Sequence, residues 1–456
     1  DLSDQHSGAK TFLHIPGAGS VERWNPEDAS IADVPVKIVD DHTVAPLAFQ
    51  PMEPMIMVFD PNGAPTERTE REPETIDTVE LTDQWIVEPE GYNVLTLDYA
   101  QYRVDGGEWE DMFPVVEITR EVAALGRDCD VELMFAFEVD ADIPADRELF
   151  LVMEEPSQYG IALNDREVPN TDKGDWYDRA FRKVDISGRL VRGKNVLVLK
   201  RRFTSDDALR EMSEDARQDN VVGRVRFPTE FEAVHIVGDF LVAASEALHR
   251  QDVPAQGGTT GNYVLVSSGE FRIAEEIPWR HTTGDLVSSG YPFYSGRAVL
   301  KQTVTVAEKP TTAQLHIDPP NAVIVALKVN GKDCGVRAWH PWSFDVTEAI
   351  EPGDNTVEFE LTGSLRNTLG PLHLDIGESY WVSPHSFTEY ISAATDSNVN
   401  WTDDICLVPF GLEGKATLTL TTRIETTEVE GDIGEEEQDE EAMAAAESDQ
   451  EPTEQG

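Results

Sequence analysis

The sequence predicts an all-β chain, built of β-sandwiches or jelly rolls and ending in a disordered acidic tail. Three observations predict it. Short alternating or β-branched runs recur along the chain, separated by Gly, Pro, Asn and Asp. Helical periodicity is scarce. A pattern near the middle of the chain returns about 160 residues later.

The elements follow in order. Residues 1–60 read as a partial β-sandwich, with strands at Thr11–Ile15, Val34–Val39, Ala45–Phe49 and Met55–Phe59. Four strands do not close a sandwich alone, so they read as the edge of a preceding domain. The start at Asp1-Leu2-Ser3, without Met, agrees with a truncated beginning. Residues 61–75 are a polar, Pro-containing linker. Residues 76–203 form a first jelly roll, with strands at Val131–Val139, Leu149–Met153, Tyr159–Leu163 and Val196–Leu199. Residues 204–298 connect, with the chief helix candidate at Ser205–Arg217, where Ser205 or Asp206 can cap. Residues 299–412 form a second jelly roll, with strands at Val323–Val329 and Thr356–Leu361. The stretch 425–456 holds 14 acidic residues and no Lys or Arg, which predicts a disordered solvating tail.

Charge excludes several functions. Lys plus Arg is 36 and Asp plus Glu is 87, for a net −51. A chain so acidic has no basic face for a nucleic-acid backbone or for anionic lipid, so neither nucleic acid nor membrane is an expected partner. No apolar run reaches the length of a spanning helix. The 11 lysines against 25 arginines, with the acid excess, fit a protein from a high-salt setting, cytoplasmic or secreted. Cys129, Cys334 and Cys406 are odd in number and widely spaced, so buried free thiols are expected, with a single disulfide left open. No spacing signals a metal or other cofactor. A structural calcium in an acidic loop has no motif behind it.

The repeat has a mechanical reading. The first copy runs through Asn164-Asp165, Val184-Asp185-Ile186-Ser187 and Gly193-Lys194-Asn195. The second runs through Asn330-Gly331, Phe344-Asp345-Val346-Thr347 and Gly353-Asp354-Asn355. The interval from Asp to the last Asn is ten in both. The Asn-Asp and Asn-Gly pairs suit turns with positive φ, and Asp185 and Asp345 can cap the turns that follow them. These positions read as architectural rather than catalytic.

The second copy resembles the sugar-binding, galactose-binding-like jelly roll of glycoside hydrolase family two and its relatives. The residues that carry the resemblance are Val329-Asn330-Gly331 with Gly335, Phe344–Leu361, Ser364-Leu365-Arg366-Asn367, Gly370-Pro371-Leu372-His373, Gly290–Gly296 and Trp401–Leu412. Upstream, Tyr92–Asp98 with Asp105–Trp109, Val21–Pro26 and Leu47–Phe59 resemble regions of barrel-plus-sandwich alpha-L-rhamnosidases. The resemblance implies hydrolysis by carboxylates on a (β/α)₈ barrel. No stretch here alternates strand and helix as a barrel requires, so those residues have no counterparts in this chain. A catalytic barrel and a carbohydrate are the partners the resemblance implies.

Candidate sites follow from the chemistry of sugars, whose C–H faces stack on aromatic rings and whose hydroxyls need planar polar groups. The carbohydrate-binding candidates are Trp339, His340, Trp342, His373, Tyr380 and Trp381, with Trp279-Arg280-His281, Tyr291–Tyr294 and His385 as further aromatic or imidazole groups. No catalytic residue is expected. A glycosidase needs two carboxylates, and Asp375 with Glu378 is the pair to test first because it follows the Gly370-Pro371-Leu372-His373 segment that carries the resemblance. The leading expectation is a non-catalytic, carbohydrate-contacting β-region of a glycoside hydrolase. The alternative is a stand-alone carbohydrate-binding or adhesion module.

Overall fold

Alternation sets the layers. In the strand Cys129–Asp140, Cys129, Val131, Leu133, Phe135, Phe137 and Val139 are buried and the residues between them are less so. That is the period-two pattern of a sheet with one face on a core. The chain is all-β. The computed structural model describes residues 9–26, 29–49, 54–66, 75–205, 229–253, 263–275, 284–377, 382, 384–388 and 401–421. The expected tail, most of the expected helix Ser205–Arg217 and much of the 61–75 linker lie outside the described residues. Two compact units are seen, one built on residues up to Asp77 and the other on Thr78–Thr419.

Among its described residues the first unit holds six strands where four were expected. They form two three-stranded antiparallel sheets. In one, His42–Phe49 is central between Ala9–Pro16 and Lys37–Val39. In the other, Ser20–Trp24 is central between Ile31–Val34 and Ile56–Asp60. The expected strand Val34–Val39 is split at Pro35, which has no N–H to give a ladder. Val21, Val36 and Ala45 form the small core, with Leu13, Ile15 and Phe59 packed on it.

The second unit contains two sandwiches. In the first, Cys129–Asp140 pairs over nearly its whole length with Gly193–Phe203, which in turn pairs with Gly160–Leu163. The other sheet has the order Asp172–Trp176, Asp178–Asp185, Leu149–Glu154, Val234–Gly238, Asn93–Leu97. The second sandwich has one sheet of Lys332–Arg337, Ile324–Val329, Gly353–Thr362, Arg297–Val306 and Ile86–Pro89, in that order. Its other sheet includes Ser343–Asp345 beside Thr312–Ile317. Phe344 and Phe359 meet across the layers, ring centroids 6.3 Å apart.

Two strands cross the expected boundaries. Ile86–Pro89 lies in 76–203 but pairs with Arg297–Val306 of the second sandwich. Val234–Gly238 lies in the connecting segment, yet it is an inner strand of the first sandwich. Between Ile86–Pro89 and Asn93–Leu97 the chain passes from one sandwich to the other. The Asn93 amide ties that joint to the carbonyls of Phe240 and Gly290, at 2.9 and 2.8 Å.

Two described helices were not expected from the sequence, the short Arg366–Leu369 and the longer Val115–Ala124. Val115–Ala124 buries Val115, Ile118 and Val122, and Thr119 Oγ1 accepts a hydrogen bond from the Phe231 N–H. The three cysteines are free. Cys129 and Cys406 are buried as expected, whereas Cys334 is only half-buried.

The repeat appears as two copies of one hydrogen-bond network. Asn164 and Asn330 both sit at φ 53°. Asn164 Nδ2 donates to Asn195 Oδ1 at 2.8 Å, and Asn330 Nδ2 to Asn355 Oδ1 at 2.7 Å. The Oδ1 of Asn164 accepts from Val196 N, as that of Asn330 does from Thr356 N. Asn195 and Asn355 are fully buried. Each donates to two carbonyls of the turn before its strand, Val191 and Gly193 in one, Glu351 and Gly353 in the other. Asp185 and Asp345 accept from the N–H two residues on, both at 3.0 Å. Each asparagine satisfies backbone groups that would otherwise be orphaned inside the sandwich end.

Candidate functional site

The described residues among the expected sugar contacts fall in two places. Trp339, His340 and Trp342 lie on the loop between the edge strand Lys332–Arg337 and Ser343–Asp345. Two side chains hold that loop. Arg337 donates from Nε to the Ser343 carbonyl at 3.0 Å and lays its guanidinium 5.1 Å from the Phe344 ring centroid. Trp342 is buried to 7% exposure, its carbonyl accepts from Ile317 N, and its ring meets His340 edge-on at 5.8 Å. Trp342 therefore anchors the loop from inside. Trp339 is 38% exposed, two residues beyond the end of the edge strand Lys332–Arg337.

His373 lies elsewhere, 4% exposed. Its Nε2 is 3.1 Å from Asp98 Oδ2, and its Nδ1 is 3.1 and 3.0 Å from the carbonyls of Thr402 and Asp404. Tyr99 and Trp401 cover the ring, at 4.9 and 5.0 Å. Burial works to lower its pKa. The hydrogen bond and charge of Asp98, with the two carbonyls, outweigh that and hold it above the usual imidazole value. Every polar neighbour is an acceptor, so the doubly protonated ring satisfies all of them. No ring nitrogen is left for a ligand. Asp375 is half-buried, and burial raises its carboxyl pKa. Glu378, Tyr380, Trp381 and Trp279–His281 lie outside the described residues, as does the Glu378 half of the carboxylate pair. Of His385, only the backbone is described.

The sequence reading missed a cavity of about 300 Å³ in the first sandwich. Its apolar wall comes from both sheets: Leu133 and Leu199 from one, Met153 and Val234 from the other. Its polar groups are Glu154, Glu155, Glu230, Glu232, Tyr159 and Arg201. Burial, then the charges of Glu154 and Glu230, push Glu232 up to about 7. Burial, then Glu155, Glu230 and Asp178, raise Glu154 as well. One sequence signal was available. Arg201 stands in phase with Leu197, Leu199 and Phe203, on the inward face of its strand. An arginine there needs partners that the apolar positions cannot supply.

Among the described residues no group of three or more His, Cys, Asp or Glu side chains is arranged to hold a metal ion. No described helix is long and apolar enough to cross a membrane.

No protein-family profile matches the chain, and no curated protein does. Similar solved structures include an alpha-L-rhamnosidase from Streptomyces avermitilis complexed with L-rhamnose. It is 13% identical, over 91% of this chain and 37% of that one, with a TM-score of 0.29. A rhamnosidase from Novosphingobium sp. PP1Y is 14% identical, over 72% of this chain and 25% of that one, with a TM-score of 0.20. A beta-D-mannosidase from Dictyoglomus thermophilum is 11% identical, over 62% and 32%, with a TM-score of 0.21. The chain thus spans between a quarter and two fifths of the length of these proteins.

Proposed function

We propose that this chain is a carbohydrate-contacting, non-catalytic β-sandwich region of a glycoside hydrolase, with glycosidic-bond hydrolysis carried out by a barrel outside these 456 residues. One observation carries the reading. The second sandwich, whose turns bear the sequence pattern of a sugar-binding jelly roll, presents Trp339 on an edge loop that Trp342 and Arg337 hold from beneath. An exposed indole on a fixed loop is a ready stacking surface for a sugar's C–H face. Trp339 makes the contact, His340 borders it, and Trp342 positions the loop. His373, with both nitrogens engaged, supports the neighbouring segment instead of touching sugar. Rhamnosides are the first ligands to try.

The test is a glycan array with the intact chain, paired with an assay for release of p-nitrophenol from aryl glycosides. The expected result is binding of at least one glycan without turnover. Turnover that disappears in Asp375→Asn would contradict the non-catalytic reading. An array without a single hit would contradict the carbohydrate reading.

A further inference from the structure

A second cavity, of about 330 Å³, opens where the chain passes from one sandwich to the other. Pro89 of that passage lines it, with Ile143 and Arg147 from the loop before Leu149–Glu154, Asp239 and Leu241 from the turn after Val234–Gly238, Glu275 after Phe271–Ala274, and Tyr291. Ile86–Pro89 is one edge of its sheet, and the strand leading to Trp339 is the opposite edge. The cavity is therefore separate from the Trp339 loop.

Its polar groups are not used up by the fold. Arg147 donates from Nη1 to the Asp239 carbonyl at 2.8 Å, and its other N–H groups have no hydrogen-bond partner among the described residues. The Asp239 carboxylate comes only within 3.9 Å of that guanidinium, too far for a hydrogen bond. Glu275 and the Tyr291 hydroxyl likewise make no hydrogen bond among the described residues. Asn93, which also lines the cavity, differs: its amide is committed to the carbonyls of Phe240 and Gly290 and to Val94 N. Those bonds, with Val242 N on the Gly290 carbonyl and Tyr291 N on that of Leu286, both at 3.0 Å, fix the backbone behind the site.

The apolar wall is open to a ligand. Pro89, Ile143, Leu241 and Tyr291 are all half-buried, so each offers carbon surface. Of the segment Tyr291–Tyr294, a further aromatic group in the sequence, only Tyr291 is not buried. Donors and acceptors set together on a concave apolar floor match a ring that carries hydroxyls. Charge narrows the class. Two carboxylates stand against one guanidinium, so an added anion meets net repulsion.

We propose that this cavity binds one neutral pyranose of a glycan and rejects uronic acids, with adjacent hydroxyls between Arg147 and Asp239, a further hydroxyl at Tyr291 Oη or Glu275, and the ring carbons on Ile143, Leu241 and Pro89. The guanidinium fork spans two neighbouring hydroxyl oxygens, and the Asp239 carboxylate accepts from their O–H groups. The sugar class rests on the carbohydrate reading above, and the place rests on these residues alone.

The probes are the methyl glycosides of galactose, glucose and rhamnose, with methyl galacturonide and methyl glucuronide as charged counterparts. Each is titrated calorimetrically into the intact chain near neutral pH. The buffer contains 1 M KCl, which cuts the screening length to about 3 Å, so that the acidic surface at large does not repel the uronates. At least one neutral glycoside is expected to bind, and each uronate at least tenfold more weakly. Tyr291→Phe removes only a hydroxyl that no described residue uses. It is expected to weaken the bound sugar several-fold with the melting temperature unchanged. Arg147→Gln is expected to weaken it at least tenfold, and Trp339→Ala to leave it as it is. Equal binding of a uronate would overturn the charge assignment. Binding lost in Trp339→Ala but kept in Tyr291→Phe and Arg147→Gln would put the sugar on the loop and overturn the cavity, with the carbohydrate reading intact. No binding of any neutral glycoside by the unaltered chain would overturn the cavity, while hits on the glycan array would keep the carbohydrate reading.

Discussion

Asn355 makes the residue-scale argument most directly. Its amide accepts from Glu351 N and from Asn330, and donates to Glu351 O and Gly353 O. Replacing it with Ala strands several buried polar groups at once. Asn355→Ala is therefore expected to destabilise the second sandwich by about 4 kcal/mol, read from urea unfolding. Asn195→Ala should do the same in the first. A loss under about 1 kcal/mol in either would contradict the pinning role. These positions were legible in the sequence because the interval is repeated and Asn-Gly or Asn-Asp has one main mechanical use. The cavity was not legible, because Glu230 and Glu232 arrive from a segment with no repeat or motif to place them beside Glu154.

Glu232 also ties stability to pH. Its carboxyl is raised from the usual value to about 7 by burial and by its acidic neighbours. The folded state therefore holds a proton that the unfolded state releases between about pH 4.5 and 7. Its contribution is full at low pH and is lost as pH rises through about 7. Glu232→Gln should raise stability at pH 8, by about 2 kcal/mol, and change it little at pH 5. Equal effects at the two pH values would mean that burial does not hold the proton. His373 shifts upward too, with Asp98 as its counter-charge. Its stabilisation is present below the ordinary imidazole range and is likewise lost as pH rises past its folded value.

At the scale of elements, the strands were legible and the longer helix was not. Cys129–Asp140 and Gly353–Thr362 alternate so regularly that the period alone places them. Val115–Ala124 has Val115, Ile118 and Val122 at helical spacing, but Val-Val-Glu-Ile-Thr is β-branched at four of five positions and favours a strand locally. Burial against the strand Tyr99–Val104 overrides that preference. Ile118, wholly buried, is the test. Ile118→Ala should cost about 3 kcal/mol, whereas truncating the exposed Leu125 just beyond the helix should cost little. Pairing partners were also beyond local reading. Nothing near residue 90 says that Ile86–Pro89 joins one sandwich and Asn93–Leu97 the other.

At the scale of the whole molecule, charge dominates. A net −51 opposes compaction in dilute buffer. Salt screens that repulsion, so the melting temperature should rise steadily between 0.1 M and 2 M KCl, where the Debye length falls from about 10 Å to below 3 Å. A flat or falling curve would show that acidity is not answered by salt. The strands exchanged between sandwiches make Thr78–Thr419 one unit.

The Trp339 loop is where the functional reading stands or falls, and a calorimetric titration of the intact chain with the strongest glycan from the array addresses it directly. Trp339→Ala should weaken binding at least tenfold while leaving the melting temperature unchanged, because the indole is exposed and Trp342 holds the loop. Undiminished affinity in Trp339→Ala would contradict the account.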